Sequence, residues 1–452
     1  MEKIFHLKER ETTFMREVVA GLTTFLTMSY ILAVVPGLLG GVPGGPPVAA
    51  VYTATVLVAA IGTLIMALSS NLPVAVGPSL GLSAFFADVV LGIIGFELSW
   101  AEILGAVLIQ GVLFAVISLP VIRGVVVDAI PLNLKKAVTV GIGVQIAMKG
   151  LMSTGVIMWD DAFSQLGSIT SEDALVTVIG LLITIALYSK HVPGAILLGI
   201  LITAAIRIPF GGFGLAEGYV PVSLPAAPVF ITPKFSFSWE FFIVVIAFLF
   251  IDVFETLGSF LGITAQAGII KNRSIKVREG KEEVGDVPQT LPAFLSAAIG
   301  SIAAAFLGTA PVSVRVESVA GSGTGRGTDR GRGVGGRTGL TGVVTGLLFV
   351  AALFLSPLFT IIPSSALAPA LVLVGLLLMW KVTEIEFTYP TEAIPAFLTI
   401  IIMPFTSIAE GIVYGVLSFV VIKTLTGKAK YVPAATWILA AVFILRFFIH
   451  YQ

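Results

Sequence analysis

Runs of roughly twenty apolar residues follow one another along almost the whole chain, and the charges lie mostly between them. Residues 17–39, 101–121, 241–263 and 340–355 are examples. Each approaches the ~20 residues that a helix needs to cross a hydrocarbon core. Composition points the same way: 57% of the 452 residues are hydrophobic and 12% charged, against roughly 45–50% and about 25% in an ordinary soluble domain. A soluble core cannot hide that much apolar surface, so the bilayer must serve as solvent. The pattern predicts an all-α polytopic membrane protein.

Several functions drop out at once. The net charge is zero, so no basic field is available for nucleic acid. The absence of cysteine excludes disulfides and thiolate metal sites. His6, His191 and His450 lie far apart near segment ends, which is poor material for a metal centre, and neither a metal nor another cofactor is expected. No Ser/His/Asp arrangement, HExxH string or clustered ligand set suggests an enzyme. Residues 1–16 (MEKIFHLKERETTFMR) are charged and lack a small-residue cleavage site, so they read as a retained cytoplasmic arm.

Fourteen membrane segments can be drawn, at 17–39, 48–69, 73–90, 101–121, 134–157, 172–190, 193–208, 239–262, 289–308, 311–325, 339–356, 366–381, 392–405 and 408–425, with a further apolar stretch at 433–449. Lys and Arg concentrate on the cytoplasmic side of spanning proteins, which tests the count. With the N-terminus inside, Arg123, Lys135, Lys136, Lys190, Lys271, Arg273, Lys276, Arg278, Lys281, Arg326, Arg330, Arg332, Arg337, Lys381, Lys423, Lys428 and Lys430 all fall inside. Lys3, Lys8, Arg10 and Arg16 bring that side to 21 of the 26 basic residues. The opposite loops are uncharged (40–47) or acidic (Asp160, Asp161, Glu172, Asp173). A multi-pass protein of the cell membrane with a cytoplasmic N-terminus is expected.

The chain also echoes itself. PVAVG at Pro73–Gly77 returns as PVSVR at Pro311–Arg315, 238 residues later. LFAVISLP (Leu113–Pro120) resembles LFVAALFLSP (Leu348–Pro357), and IPLNLKKAVTVGIG at 130–143 matches IPSSALAPALVLVG at 362–375. Tight turns at Lys190–Pro193 and Met403–Thr406 occupy equivalent places. Seven segments per half is an odd number, so the second half should lie upside down against the first, the arrangement of many secondary transporters.

Segments three and ten break the helical pattern. Each opens on Pro and β-branched residues, which favour a strand, and runs into Gly-rich sequence. Non-helical backbone at membrane depth survives only where it is buried in protein or lines a cavity, and paired interrupted segments mark the binding site of inverted-repeat transporters. Short strands crossing near the midplane, followed by half-helices whose amides face the site, are expected. Intramembrane charges cluster on the same region. Asp252 and Glu255 stand three apart in segment eight and share a helix face; Arg315 and Glu317 follow the second strand. Such residues are costly in a span and usually functional. If the strand reaches Glu317, Arg315 shares its face and neutralises it; if a helix starts earlier, Glu317 is free for a substrate. Lys149 and Gln145 in segment five read as structural, with Lys149 near the outer end and able to snorkel. Asp88, Glu384 and Glu386 read as ordinary loop or interface charges, and the Gly/Arg run 321–339, which lacks a GK[ST] ending, as a basic loop rather than a phosphate cradle.

The strings FHLKERETTFMREVVAGLTTFLTMSYILAVVP, IDVFETLGSFLGITAQAG, VESVAG…GGRTGLT and TEAIPAFLTIIIMPF…SIAEGIVYG, spread over residues 5–450, resemble those of the nucleobase–cation symporter family, and within it the AzgA-like adenine, guanine and hypoxanthine permeases. The resemblance implies a core domain (segments 1–4 and 8–11, residues 17–121 and 239–356) moving against a gate domain (5–7 and 12–14, residues 134–208 and 366–425), and often a homodimer in lipid. It matches the family's substrate-binding acids to Glu255 and Glu317. The chain departs from the family where GMGLNAFF becomes SLGLSAFF (Ser79, Ser83), where a Tyr becomes Arg315, and where GTST becomes GTAP (Gly308–Pro311). The implied activity is uptake of a purine base coupled to a cation, a proton ahead of sodium. Glu255 would bind the base and Glu317 would bind it or carry the proton. Asp252 and Arg315 would support them, and Ser79, Gly81, Ser83 and Ser318 would offer polar atoms or backbone N–H groups to ring carbonyls. Xanthine or uracil are alternative cargoes, and an anion carrier using Arg315 is the alternative class.

Overall fold

In the computed structural model of the protein, the described residues are 2–93, 96–119, 131–159, 164–210, 220–266, 275–278, 281–284, 290–322 and 334–450. Arg123, Asp160, Asp161, Lys271, Arg273, Arg326, Arg330, Arg332 and the middle of the Gly/Arg run lie outside them.

The first span is α1 (Phe14–Met28) and α2 (Ile31–Leu39), interrupted at Ser29–Tyr30. There follow α3 (Val48–Ser70), strand β1 (Val76–Pro78), the short α4 (Leu80–Val90) and α5 (Trp100–Ile117). A Ser99/Glu102 capping box starts α5, satisfying two N-terminal donors. Next come α6 (Leu132–Met152), α7 (Glu172–Ser189) and α8 (Ala195–Arg207). The second half holds α9 (Trp239–Gln266), α10 (Thr290–Leu307), strand β2 (Val312–Val314), α11 (Gly339–Ala352), α12 (Ser364–Met379), α13 (Pro390–Phe405) and α14 (Ile408–Leu425). A last apolar helix, α15 (Ala434–His450), packs on α14. Among the described residues nine helices, counting joined pieces, are long and apolar enough to cross a bilayer, and Leu80–Val90, Ala195–Phe210 and Pro390–Phe405 are shorter apolar ones. The chain is a multi-pass membrane protein.

The two strands decide the layout of the interior. β1 and β2 pair antiparallel, Val76 opposite Val314 and Pro78 opposite Val312, and both are wholly buried. A two-stranded ribbon leaves its outer N–H and C=O groups unmet, which lipid cannot repair. Neighbouring hydroxyls meet them instead. Thr63 on α3 accepts from Val76 N at 3.0 Å and donates to Val76 O at 2.9 Å. Ser301 on α10 does the same for Val312, at 3.1 Å each way. The glycine before each hydroxyl lets the strand approach: a Cβ on Gly62 would stand 3.0 Å from Val76 Cγ1, and one on Gly300 closer still to Val312. AAIGT at 59–63 and AAIGS at 297–301 are themselves 238 residues apart, a repeat the sequence reading passed over.

A second group of helices packs beside this ribbon, with α6 against α12 and α13. Here the backbones of α6 and α12 touch. A Cβ on Gly143 would lie 2.6 Å from Gly375 O, and one on Gly375 nearer still to Gly143 O. These glycines are the last residues of the two matched IP…G strings. α4 joins the groups: Phe85 and Phe86 pack on Phe248 of α9, Phe86 also on Trp100 of α5, while Gly81 faces Ile142 of α6.

Candidate functional site: a charged cleft where the two strands end

Ser79, directly after β1, is the N-cap of α4. Its hydroxyl accepts from Leu82 N at 3.2 Å, satisfying one of the free donors of a helix start. The same hydroxyl donates to Glu255 Oε2 at 2.5 Å. Glu255 thus meets the positive end of α4 from the middle of α9. Its other oxygen lies 3.5 Å from Arg315 Nη1.

Arg315 follows β2 and is buried between two carboxylates. Nη2 donates to Glu317 Oε1 at 2.7 Å and to the Tyr30 hydroxyl at 2.9 Å, and Nη1 reaches Pro78 O at 3.4 Å. Tyr30 donates in turn to Glu317 Oε1 in a short contact. The strand stops at Val314 and a 3₁₀ turn occupies Val316–Ser318, so Glu317 does not continue β2. The pairing that the sequence reading tied to an extended strand forms without one, because the long Arg315 side chain folds over the start of the turn. Glu317 is therefore engaged and not free, although its Oε2 has no partner among the described residues, and neither does Arg315 Nε.

Asp252 sits one turn before Glu255 on α9, fully buried, and is bound by neutral donors only. Gln110 Nε2 of α5 donates to it at 2.7 Å and Thr256 Oγ1 at 3.0 Å. Thr256 also accepts from Val314 N at 3.4 Å, tying the acid to the strand.

The cleft that these groups border holds about 40 Å³ of free space. Glu255, Ser259, Arg315, Val316 and Glu317 line one side with Leu80 and Gly81, and Val138, Thr139 and Ile142 of α6 and Val374, Leu377 and Leu378 of α12 the other. At roughly 10–15 Å³ per water that admits a few waters and falls short of a bicyclic ring. A larger cavity of about 220 Å³ lies between α9, α14 and α15, but its lining is wholly apolar and includes none of the charged residues.

Not every expected group faces the cleft. Ser83 is buried and donates to Ser79 O at 2.6 Å, along its own helix. Ser318 accepts from Ala75 N at 3.0 Å, beside the ribbon, and its own N–H donates to Arg315 O within the 3₁₀ turn. Two other readings change. Lys149 does not snorkel: its Nζ lies 2.5 Å from both oxygens of Asp88, with Ala84 O at 3.3 Å. Asp88, read as an ordinary loop or interface charge, is buried in the last turn of α4, and burial requires the pair. Tyr30, Gln110 and Thr256 were missed. Their only sequence signal is a polar group inside an apolar span.

Paired interrupted segments meeting at a buried charged cleft, within a bundle of spanning helices, are the anatomy of a membrane carrier. The model of a permease family, Xan_ur_permease, matches residues 15–413, and the chain belongs to that family. Its relatives are permeases rather than enzymes. The guanine/hypoxanthine permease PbuO of Bacillus subtilis is 35% identical over 457 residues, covering 99% of this chain and all of the relative. The adenine permease AdeQ of Escherichia coli is 35% identical over 449 residues, covering 99% and 96%. Among solved structures, the transmembrane domain of the cyanobacterial bicarbonate transporter BicA superposes with a TM-score of 0.61 at 14% identity, covering 89% of this chain and 97% of that one. SLC26A9 gives 0.62 at 10% identity, covering 91% and 65%. At such identities the likeness is of fold alone.

Proposed function

We propose that the chain is a secondary transporter that takes up purine nucleobases together with a proton by alternating access. The observation that carries this reading is the acid-rich cluster at the strand junction. A base presents ring N–H donors, and a carboxylate accepts from them in charge-assisted bonds. Glu255, the acid held least tightly by Arg315, is the base-binding group; Gly81 lines the same cleft. Glu255 and Glu317 face Arg315, and Asp252 lies one turn from Glu255 on α9, so three ionised carboxylates beside one guanidinium carry excess negative charge that a coupling proton reduces. Asp252, bound by neutral donors, and Glu317 are the groups through which coupling would run. The relatives named for guanine, hypoxanthine and adenine support the cargo class.

The reading includes fourteen segments in two inverted repeats, with a cytoplasmic N-terminus. Support comes from the register of the ribbon, where Val76 faces Val314, the residue 238 positions on. The facing glycines Gly143 and Gly375 support it as well. The core domain would be α1–α5 with α9–α11, and the gate α6–α8 with α12–α14. Homodimer formation in the lipid bilayer belongs to the same reading.

An anion carrier on this fold would need Arg315 available to its substrate. Here Arg315 faces two carboxylates, which repel an anion. The deciding experiment is uptake of labelled hypoxanthine, guanine, adenine, xanthine and uracil into vesicles, with and without an inward proton gradient. Purine accumulation that collapses with the gradient is expected. Accumulation of none of the five by well-folded protein overturns the reading, and accumulation driven only by sodium overturns the proton.

A further inference from the structure

Overall similarity does not separate two kinds of purine, since the guanine/hypoxanthine permease and the adenine permease are equally identical to this chain. The cleft does. Resting on the purine reading above, we propose that Arg315 makes this a site for 6-oxopurines and against the 6-aminopurine adenine.

Arg315 lines the cleft with a guanidinium, a planar fork of donors that has no acceptor and never loses its charge. Glu255 and Glu317 line it beside Arg315 and, when ionised, offer acceptors only. Among the described residues one donor and one acceptor of this set are buried without partners, Arg315 Nε and Glu317 Oε2. A buried polar group left unmet is costly, so a ligand that meets both is favoured over one that meets neither.

A 6-oxopurine carries a carbonyl acceptor at C6 next to an N–H donor at N1. Laid along the cleft, its O6 faces the guanidinium and its N1–H faces a carboxylate. Adenine reverses both positions: its 6-amino group donates and its N1 accepts. In the same pose it sets N–H against guanidinium and a lone pair against carboxylate. The same chemistry governs base reading in nucleic acids, where Arg pairs with guanine O6/N7 and Asn or Gln with adenine N6/N7. Arg315 touches the base directly here and acts as a specificity residue. The cleft must widen to admit any base, and its α6 and α12 side, apolar but for Thr139, can move without breaking this donor–acceptor set.

The test is isothermal titration of the purified full-length protein with hypoxanthine, guanine, adenine and 1-methylhypoxanthine. Hypoxanthine and guanine should bind at least about tenfold tighter than adenine, the scale of one good base contact. Replacing N1–H by a methyl group should also remove most of the hypoxanthine affinity. Adenine binding equal to or tighter than hypoxanthine overturns the inference and leaves the purine reading standing; no binding of any purine removes both. Undiminished binding of 1-methylhypoxanthine overturns the pose on which the inference rests. Arg315→Gln combined with Glu317→Gln, which removes the charge pair together, should bring the hypoxanthine-to-adenine ratio to near one. An unchanged ratio in the folded double variant refutes the role of Arg315. The wild-type ratio decides the question even if that variant does not fold.

Discussion

Replacing Lys149 by Met should strand a carboxylate inside the protein. Met keeps the apolar stem of Lys149 and removes its charge. Asp88 is 3% exposed and Lys149 25%, with Nζ 2.5 Å from the carboxylate. Breaking a fully buried ion pair from one side costs about 3–5 kcal/mol. Exposure of a quarter of the lysine lets water share the stranded charge, so about 2–3 kcal/mol is the expectation for Lys149→Met. Asp88→Asn should cost less, about 1–2 kcal/mol, because Nζ keeps Ala84 O and can turn toward water. The double variant leaves no unpaired charge and should recover at least 1 kcal/mol relative to the sum of the single losses. Unfolding free energies of the four proteins in mixed micelles complete the cycle. Additivity within about 0.3–0.5 kcal/mol would mean that the pair is not coupled, and the account of why Asp88 tolerates burial would be wrong.

Glu255→Gln should abolish binding of the base, while Glu317→Gln, whose acid is already held by Arg315 and Tyr30, should weaken binding less or uncouple it from the proton gradient; wild-type titration curves for Glu255→Gln would sink the assignment. Glu17 is buried and accepts from Thr12, Arg337 N, Thr338 N and Oγ1 and Thr341 Oγ1, closing the start of α11 onto α1. Glu17→Ala should therefore cost about 2–3 kcal/mol, the scale of leaving buried donors unmet, read as a lowered thermal midpoint in detergent. Gly199 on α8 lies against Thr184 of α7 with no room for a Cβ; Gly199→Ala should lose about 1–3 kcal/mol by overpacking, and Thr184→Ala added to it should restore most of that in the same melt.

What could be read from the sequence is what violates the spanning-helix pattern. Pro and β-branched residues at 73–77 and 311–315 interrupt apolar runs, and the ribbon forms close to those positions. Asp252, Glu255, Arg315 and Glu317 are visible because charges in a span are costly. Residues that obey the pattern locally stay hidden. Tyr30 reaches Glu317 across 287 residues, and Gln110 reaches Asp252 across 142. Neither partner carries a local mark of the other. Lys149 and Asp88 each look like an end-of-helix charge until α4 and α6 are placed side by side. Ser83 and Ser318 mislead for the opposite reason: a hydroxyl next to a glycine in a broken segment is the right chemistry for a ligand, but also for satisfying exposed backbone. At membrane depth the backbone has the prior claim.

That competition bears on how the site can open. Every charge lining the cleft comes from α9 or from the stretch after β2, and these are bound to one another and to α4 through Ser79. The facing surface of α6 and α12 gives only Val138, Thr139, Ile142, Val374, Leu377 and Leu378. Moving an apolar surface away from a polar one breaks no hydrogen bond, so separation there is limited by packing and by whatever ties cross the gap. Lys149–Asp88 is such a tie, joining α6 to the end of the half-helix whose start caps Glu255. α4 has 11 residues and its two aromatic side chains grip α9 and α5. Under the proposed division into core and gate it belongs with the charged cluster. Under the proposed alternating access, displacement of the gate loads that ion pair first. Weakening it should widen the range of cleft openings without touching the groups that hold the base. Accessibility of a cysteine placed at Thr139 should then rise in Lys149→Met while hypoxanthine affinity, corrected for the altered resting population, stays within about threefold. Unchanged accessibility would show that the pair does not restrain the gate.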